Sequence, residues 1–310
     1  MNAPASFSTY SPPGKPHIVT HSEYEQGSEQ WLQARRGLLT ASEMKLILSV
    51  QGGGLVAEYR ATGALPEKLT PKKAQALAAI GERSGSVAQL AFLADVSDGV
   101  IRGLIKDGAI EKFETQEPLR FSVPNDDRAT GHLYELLAQR VTGYVEPHFQ
   151  TFDMERGNFD EEHARAKYAE LYGEVEEVGF ITNNKLGFPI GYSPDGLVGE
   201  PGQIEIKSRV QKWQMQTFIE SVATRSVPPE FLVQCQTGLF VTEREWIDFI
   251  SYSGGMKMAT VRCYPDPVIQ EAIGNAAIEF ERRLSEKLKI YEDLLASDAR
   301  LADTERLIYL

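Results

Sequence analysis

The residues best suited to do chemistry lie between Gly191 and Arg209, a stretch that reads GYSPDGLVGEPGQIEIKSR. Asp195 precedes a turn glycine, and Glu205 and Lys207 alternate with Ile204 and Ile206 in what reads as a strand. Strand side chains alternate between faces, so the acid and the lysine share one face and the isoleucines the other. Two arrangements satisfy that alternation. An edge hairpin would leave the acid and base in water, paired along the strand, whereas a covered strand would make them one wall of a cleft. Converging carboxylates repel one another unless a cation is bound, so the second arrangement suits a hard metal ion held by oxygen.

The charge distribution singles out the same region. Thr151 to Glu205 carries 12 acidic and 4 basic residues, two thirds of the net charge of -12. A solvated acidic face is the alternative to a metal site. The overall charge argues against a protein coated in nucleic acid, because nonspecific DNA binding works by neutralising phosphates. A second chemical candidate is the capping box of Thr40 and Glu43, expected to open a helix through Leu48. Free N–H groups at such a start, with Ser42 and Arg35 or Arg36 nearby, make a phosphate site, or simply an ordinary capped surface helix. Glu161 is expected in the first turn of a helix capped by Asn158 or Asp160, where the helix dipole favours an acid.

The elements that must position these residues read as α+β. The 310 residues, 42% hydrophobic, allow one large core or two smaller ones. Residues 1–20, rich in Pro and Ser, are expected to be loose. A helix carries Leu133, Leu136, Leu137 and Val141; NNKLG marks a hairpin ahead of Asp195; Pro228 opens a further helix; two strands and a long amphipathic helix from about Asp266 to Ala296 follow. No apolar run is long enough to span a membrane, and the N-terminus lacks a signal-peptide pattern, so a soluble cytoplasmic protein is expected. Cys235 and Cys263 form no CxxC pair and read as small core residues. His17, His21, His132, His148 and His163 show no ligand spacing, with His163 expected near the site or at the surface.

Between these segments the pattern changes. After a Gly-rich break at SVQGGGLVAEYRATGALPEK, helices are expected from Thr70 with Pro71, from Ser86, and from Ser97 to Gly108, followed by a two-stranded wing over AIEKFETQEPLRFSV. That order resembles a winged helix-turn-helix module at about 69–124, within an insertion at 51–128. Arg102 and Lys106 on the third helix are the side chains placed to reach DNA. Thr70 to Glu114 carries six basic and six acidic residues, so DNA contact and a protein-docking or structural role both stay open.

The ordered segments WLQARRGLLTASE, LYELLAQRVTG, MERGNFDEEHAR, SPDGLV, IEIKS and VQCQTGLFV are together similar to the phage lambda exonuclease and YqaJ-type viral recombinase family of the PD-(D/E)xK nuclease superfamily. The resemblance covers about 22–48 and 130–290. It implies a restriction-endonuclease-like core at 21–50 and 129–310, with a mixed central sheet flanked by helices and interrupted by the inserted module. It also implies roles. Asp195 and Glu205, with Glu161 and the Ile206 carbonyl, would hold Mg²⁺, with Mn²⁺ as a substitute; Lys207 and Gln234, less surely Gln236, would act at the scissile phosphate and attacking water; Arg35 and Ser42 would hold a 5'-phosphate. One departure is visible, because the arginine expected a few residues beyond the lysine has only Arg209, Lys212 or Trp213 near its place.

The implied activity is 5'-to-3' degradation of one strand of linear double-stranded DNA. It would leave 3' single strands for recombination by a phage-type annealing partner, through a homotrimer in the cytoplasm of a bacterial host and encoded by a phage or prophage. A PD-(D/E)xK endonuclease acting at internal sites, or a winged-helix regulator with the nuclease body as scaffold, are the alternatives.

Overall fold

A computed structural model describes residues 14–53, 55–124, 126–146 and 151–306. The chain divides into two compact units, Met1–Ser49 with Phe121–Leu310, and Val50–Arg120. In chain order the first elements are β1 (Ile18–His21), α1 (Glu29–Arg35), β2 (Leu39–Thr40), a 3₁₀ turn (Met44–Leu46) and β3 (Ser49–Gln51). Next come β4 (Leu55–Ala61), α2 (Pro71–Ile80), β5 (Ser84–Gly85), α3 (Val87–Leu93), α4 (Asp98–Lys106) and β6 (Ile110–Gln116). The chain continues through β7 (Arg120–Ser122), α5 (Asp127–Thr142), α6 (Phe152–Tyr172), β8 (Phe180–Asn183), β9 (Ile190–Tyr192), β10 (Gly196–Val198) and β11 (Gly202–Ser208). It ends with α7 (Gln211–Gln216), a π-helical turn (Thr217–Val222), α8 (Pro229–Thr242), β12 (Trp246–Tyr252), β13 (Ala259–Cys263) and α9 (Pro267–Leu295).

The larger unit is mixed α+β, with its strands in two four-stranded sheets ordered β1-β8-β9-β2 and β10-β11-β12-β13. In the second sheet β11 is an interior strand, antiparallel to β10 and parallel to β12, with Glu205 opposite Phe249 and Lys207 opposite Ser251. Its isoleucine face is covered by α6: Ile204, Ile206 and Ile250 are buried with Ala164 and Tyr168. The Tyr168 hydroxyl donates to Asp248 at 2.6 Å, and Arg262 pairs with the same carboxylate at 2.8 Å, so the strand behind the site is tied to α6 by satisfied polar groups as well as by packing. On the other side, α8 carries a nearly continuous buried run from Gln236 to Thr242 and packs against β8, β9 and β12. A strand covered on both faces reads as almost wholly buried, and Gly202–Ile206 is.

Several expectations are corrected. Thr40 and Glu43 do not open an α-helix, because the Thr40 hydroxyl donates to Glu43 Oε2 at 2.7 Å instead of accepting a backbone N–H; only the 3₁₀ turn follows. The helix bearing Glu161 begins earlier, at Phe152 with Thr151 as its cap, so Glu161 lies in its third turn and not its first. Ile18–His21 is an ordered strand paired with β8, so order begins before residue 21. Residues 1–13 and His148 lie outside the described residues.

The smaller unit has its own core of Ala76, Ile80, Leu90, Ala91, Ala94, Ile101, Leu104, Ala109 and Ile110. Its antiparallel sheet is ordered β5-β4-β6, with Tyr59 opposite both Gly85 and Lys112. The Gly-rich stretch read as a break therefore contains the central strand β4, and β6 pairs with β4 along its whole length and not with the segment after it. The two-stranded wing expected over 109–123 does not form. The alternation in LVAEYRA is the missed strand signal, hidden by the glycines before it.

Candidate active site

Glu205 is the centre of the arrangement. Its side chain is almost wholly buried, and its carboxylate has three partners: the Tyr192 hydroxyl donates to Oε2 at 2.8 Å, Gln234 Nε2 donates to Oε1 at 2.5 Å, and Lys207 Nζ lies 2.5 Å from Oε1. These donors come from β9, α8 and β11 itself, so the fold converges three elements on one acid. The solvated edge hairpin is excluded. Burial alone would lower the Lys207 pKa, but Glu205 and Asp195 outweigh it and raise it, so the lysine is held charged. Burial, then the Glu205 charge, pushes the Tyr192 hydroxyl well above its usual range, so it stays a donor.

Asp195 joins Glu205 through the backbone. The Ile206 N–H donates to Asp195 Oδ2 at 2.5 Å. Extending the β10–β11 register would put Pro194 opposite Ile206, but the Pro194 carbonyl accepts from Gln26 Nε2 at 3.0 Å. The aspartate side chain thus takes the place of a ladder acceptor, which sets it beside the strand that carries Glu205 and Lys207. Burial, then the Glu205 and Glu161 carboxylates, push its pKa well above the carboxylate range.

Glu161 approaches from α6 and is held by Arg165, whose guanidinium lies 2.5 Å from Glu161 Oε1, donates to the Asp195 carbonyl at 2.8 Å and pairs with Glu177 at 2.8 Å. One arginine thus ties the helix acid to the turn that presents Asp195. Burial raises the Glu161 pKa, Arg165 counters it, and Glu205 adds to it. Glu161 and Asp195 line an adjoining cleft with Arg165, Glu23 and Glu25.

Asp195, Glu205, Lys207 and Gln234 line one cavity of about 180 Å³ together with Arg35, Ser42, Thr40, Trp31 and Gln26. Arg35 lies over the Trp31 ring at 4.1 Å and donates to Thr40 at 3.3 Å, and the Thr40 and Ser42 hydroxyls are 3.2 Å apart. Trp31 is fixed in turn, its indole N–H donating to the Gly179 carbonyl and to Ser193, each at 3.0 Å. One end of the cavity therefore offers a cation and hydroxyls, and the other carboxylates and an ammonium. Arg36 is directed elsewhere, to Gln33 and the Gly143 carbonyl. Gln236 is engaged with Cys263 and Tyr264, which leaves Gln234 as the glutamine at the site. Arg209, paired with Glu230, and Lys212 and Trp213, stacked on each other, are not among the residues lining the cavity. Arg102 and Lys106 belong to the smaller unit, exposed on α4.

Among the described residues no group of three or more His, Cys, Asp and Glu side chains stands assembled to hold a metal ion. The Glu205 charge nevertheless adds to the raised pKa of both Asp195 and Glu161, a crowding of negative charge that a cation relieves, and the carboxylates offer only oxygen, as hard divalent ions prefer. The residues fit such an ion, with Asp195 and Glu205 as the nearer pair and Glu161 turned to Arg165.

Sequence reasoning missed Tyr192, Gln26, Trp31 and Arg165. Tyr192 carried a signal, an aromatic immediately before SPDG at a strand end, but its burial depends on Gly238 of α8, where a Cβ would come within 2.9 Å of the tyrosine ring. That contact joins residues 46 positions apart and has no local signature.

The architecture and the Asp195, Glu205 and Lys207 pattern define the PD-(D/E)xK nuclease fold. The solved structures agree: an alkaline exonuclease from Laribacter hongkongensis is 24% identical, with a TM-score of 0.55, over 87% of this chain and 98% of that one. The same exonuclease in complex with dAMP gives 24%, 0.54 and the same coverage. No curated protein matches. Residues 125–245 match the model of the YqaJ-like viral recombinase domain.

Proposed function

We propose that the protein is a Mg²⁺-dependent exonuclease that degrades one strand of linear double-stranded DNA from its 5' end, leaving 3' single strands for annealing. The observation that carries the reading is the single cavity that joins Arg35 and Ser42 to Asp195, Glu205, Lys207 and Gln234. A phosphate held at the first group puts the next phosphodiester within reach of the second, which is what removal of nucleotides from an end requires. The similar exonuclease solved in complex with dAMP supports the reading, because a mononucleotide is what such removal releases.

In this reading Asp195 and Glu205, with Glu161 and the Ile206 carbonyl, hold the cation, which supplies Lewis-acid stabilisation of the phosphate and a more acidic water. Tyr192 and Gln234 hold the Glu205 carboxylate in one orientation. Lys207 keeps its positive charge beside the scissile phosphate, where charge develops on the phosphoryl oxygens. Arg35 and Ser42 take the terminal phosphate, with Trp31 fixing the guanidinium plane. A trimer acting with a phage-type annealing protein in a bacterial cytoplasm completes the proposal; no helix among the described residues is long and apolar enough to cross a membrane.

The test compares a linear duplex with a covalently closed circle of the same sequence under a metal titration. Mg²⁺-dependent loss of the linear form alone supports an exonuclease. Cutting of the circle points to an endonuclease, and no metal-dependent cutting of either overturns the reading.

A further inference from the structure

The unit Val50–Arg120 folds around a core of its own, apart from the residues of the nuclease site. Helices α3 and α4 are joined by a short turn in which Asp95 adopts a left-handed conformation, with φ of 51°. Ala91 and Ala94 on one side of this turn, and Ile101 and Leu104 on the other, are buried together with α2. The strand before α3 and the strand after α4 flank the sheet as β5 and β6. A helix, a strand, a helix-turn-helix and a strand in that order are the parts of a winged helix. The difference is that the strand filling the centre of the sheet, β4, comes from before the first helix instead of following β6. We infer that this unit is a winged-helix variant with its central strand permuted to the front, and that it binds duplex DNA through Arg102 and Lys106 of α4.

Charge placement carries the ligand class, although the unit is neutral overall, with nine basic and nine acidic residues. Three ion pairs take up six of those charges: Arg60 with Glu111 at 2.8 Å, Arg120 with Glu117 at 2.5 Å and Lys112 with Glu114 at 3.9 Å. The acid that ends α4, Asp107, is bound by Lys73 of α2 and so does not neutralise its neighbour Lys106. Arg102 and Lys106, one helical turn apart and both exposed, have no carboxylate partner among the described residues. Asp98, in the first turn of α4, pairs with neither. Lys68, Lys72 and Arg83 likewise have no carboxylate partner among the described residues, but Arg102 and Lys106 are the two cations that share the exposed face of the second helix of the helix-turn-helix, the helix that such modules present to a duplex. Two cations one turn apart suit backbone phosphates, a contact that positions without reading sequence.

The probe is a covalently closed duplex, which has no end for the nuclease cleft, bound by the full chain in chelator with salt as the variable. The wild type should bind with log K falling linearly as log salt rises. Arg102→Gln with Lys106→Gln should weaken binding and reduce that slope by about one to two phosphate contacts, whereas Arg102→Lys alone should keep most of the slope. Circular dichroism and melting temperature, compared with those of the wild type, show that the variants fold; if the double variant does not, Arg102→Gln alone is read the same way. An unchanged slope and affinity would overturn the inference. So would a wild type that fails to bind the closed duplex at low salt. The remaining explanation would then be protein docking, for which Phe92 on α3, 91% exposed, is the natural anchor. Because no cleavage is measured, this outcome is independent of whether the nuclease reading holds.

Discussion

The Tyr192 hydroxyl donates a 2.8 Å hydrogen bond to Glu205 Oε2, joining a buried strand of one sheet to the central acid of the other. With Oε1 taken by Gln234 and Lys207, the carboxylate has no freedom to rotate. Tyr192→Phe removes one donor and leaves a buried carboxylate oxygen unsatisfied. The expected loss is about 1–3 kcal/mol of stability, read by denaturant unfolding. Metal affinity, measured by calorimetry with catalysis blocked by omitting DNA, should fall as well. A stability loss with unchanged metal affinity would show that Tyr192 only packs.

Lys207 and Glu205 separate two roles. Lys207→Ala should lower kcat by about a hundredfold or more while leaving metal affinity nearly intact, because the lysine acts on charge that develops in the transition state. Glu205→Ala should lose both. Calorimetric titration of the two variants with Mg²⁺ checks the division, and equal loss of metal affinity would refute it.

Arg35 should govern the preference for a phosphorylated end. Losing a charge-assisted contact costs about 1.5–3 kcal/mol, which is a rate ratio of about tenfold to a hundredfold. The wild type should therefore degrade a 5'-phosphate duplex faster than a 5'-hydroxyl one by that ratio, and Arg35→Ala should erase most of the difference. A variant that retains the preference would place the phosphate elsewhere.

Asp195 gives a pH-dependent prediction. Its folded-state pKa is raised by burial and by its neighbouring acids, so its contribution to stability is present at low pH and is lost as pH rises through the folded value. In chelator, Asp195→Asn should therefore melt higher than the wild type at neutral pH, and the two should converge in acid. Its amide oxygen can still accept the Ile206 N–H. With metal present the order should reverse, because only the wild type gains from the cation. Identical melting curves in chelator at neutral pH would contradict the proposed strain among the acids.

Much of the larger unit was legible because its signals are local. The alternation in IEIKS, the NNKLG hairpin, Pro228 at the start of α8 and Asp266 at the start of α9 each appear where the sequence puts them. What was not legible depends on distant partners. Thr40 reads as a cap until its hydroxyl is seen to donate to Glu43, and Arg165 has no local signal because its partners Glu177 and the Asp195 carbonyl come from elsewhere in the chain. The strand β4 was hidden for the same reason, since its two neighbours, β5 and β6, follow it by more than twenty residues.

The central claim is that one cavity holds both the end phosphate and the bond that is cut. A linear duplex carrying a 5'-terminal ³²P-phosphate on one strand tests it most directly. In Mg²⁺ the account predicts that the label leaves first as a 5'-mononucleotide, while a label at the 3' end of the same strand persists until late. Chelator should stop both. Early release of the 3' label, or first appearance of the 5' label in long fragments, would contradict it.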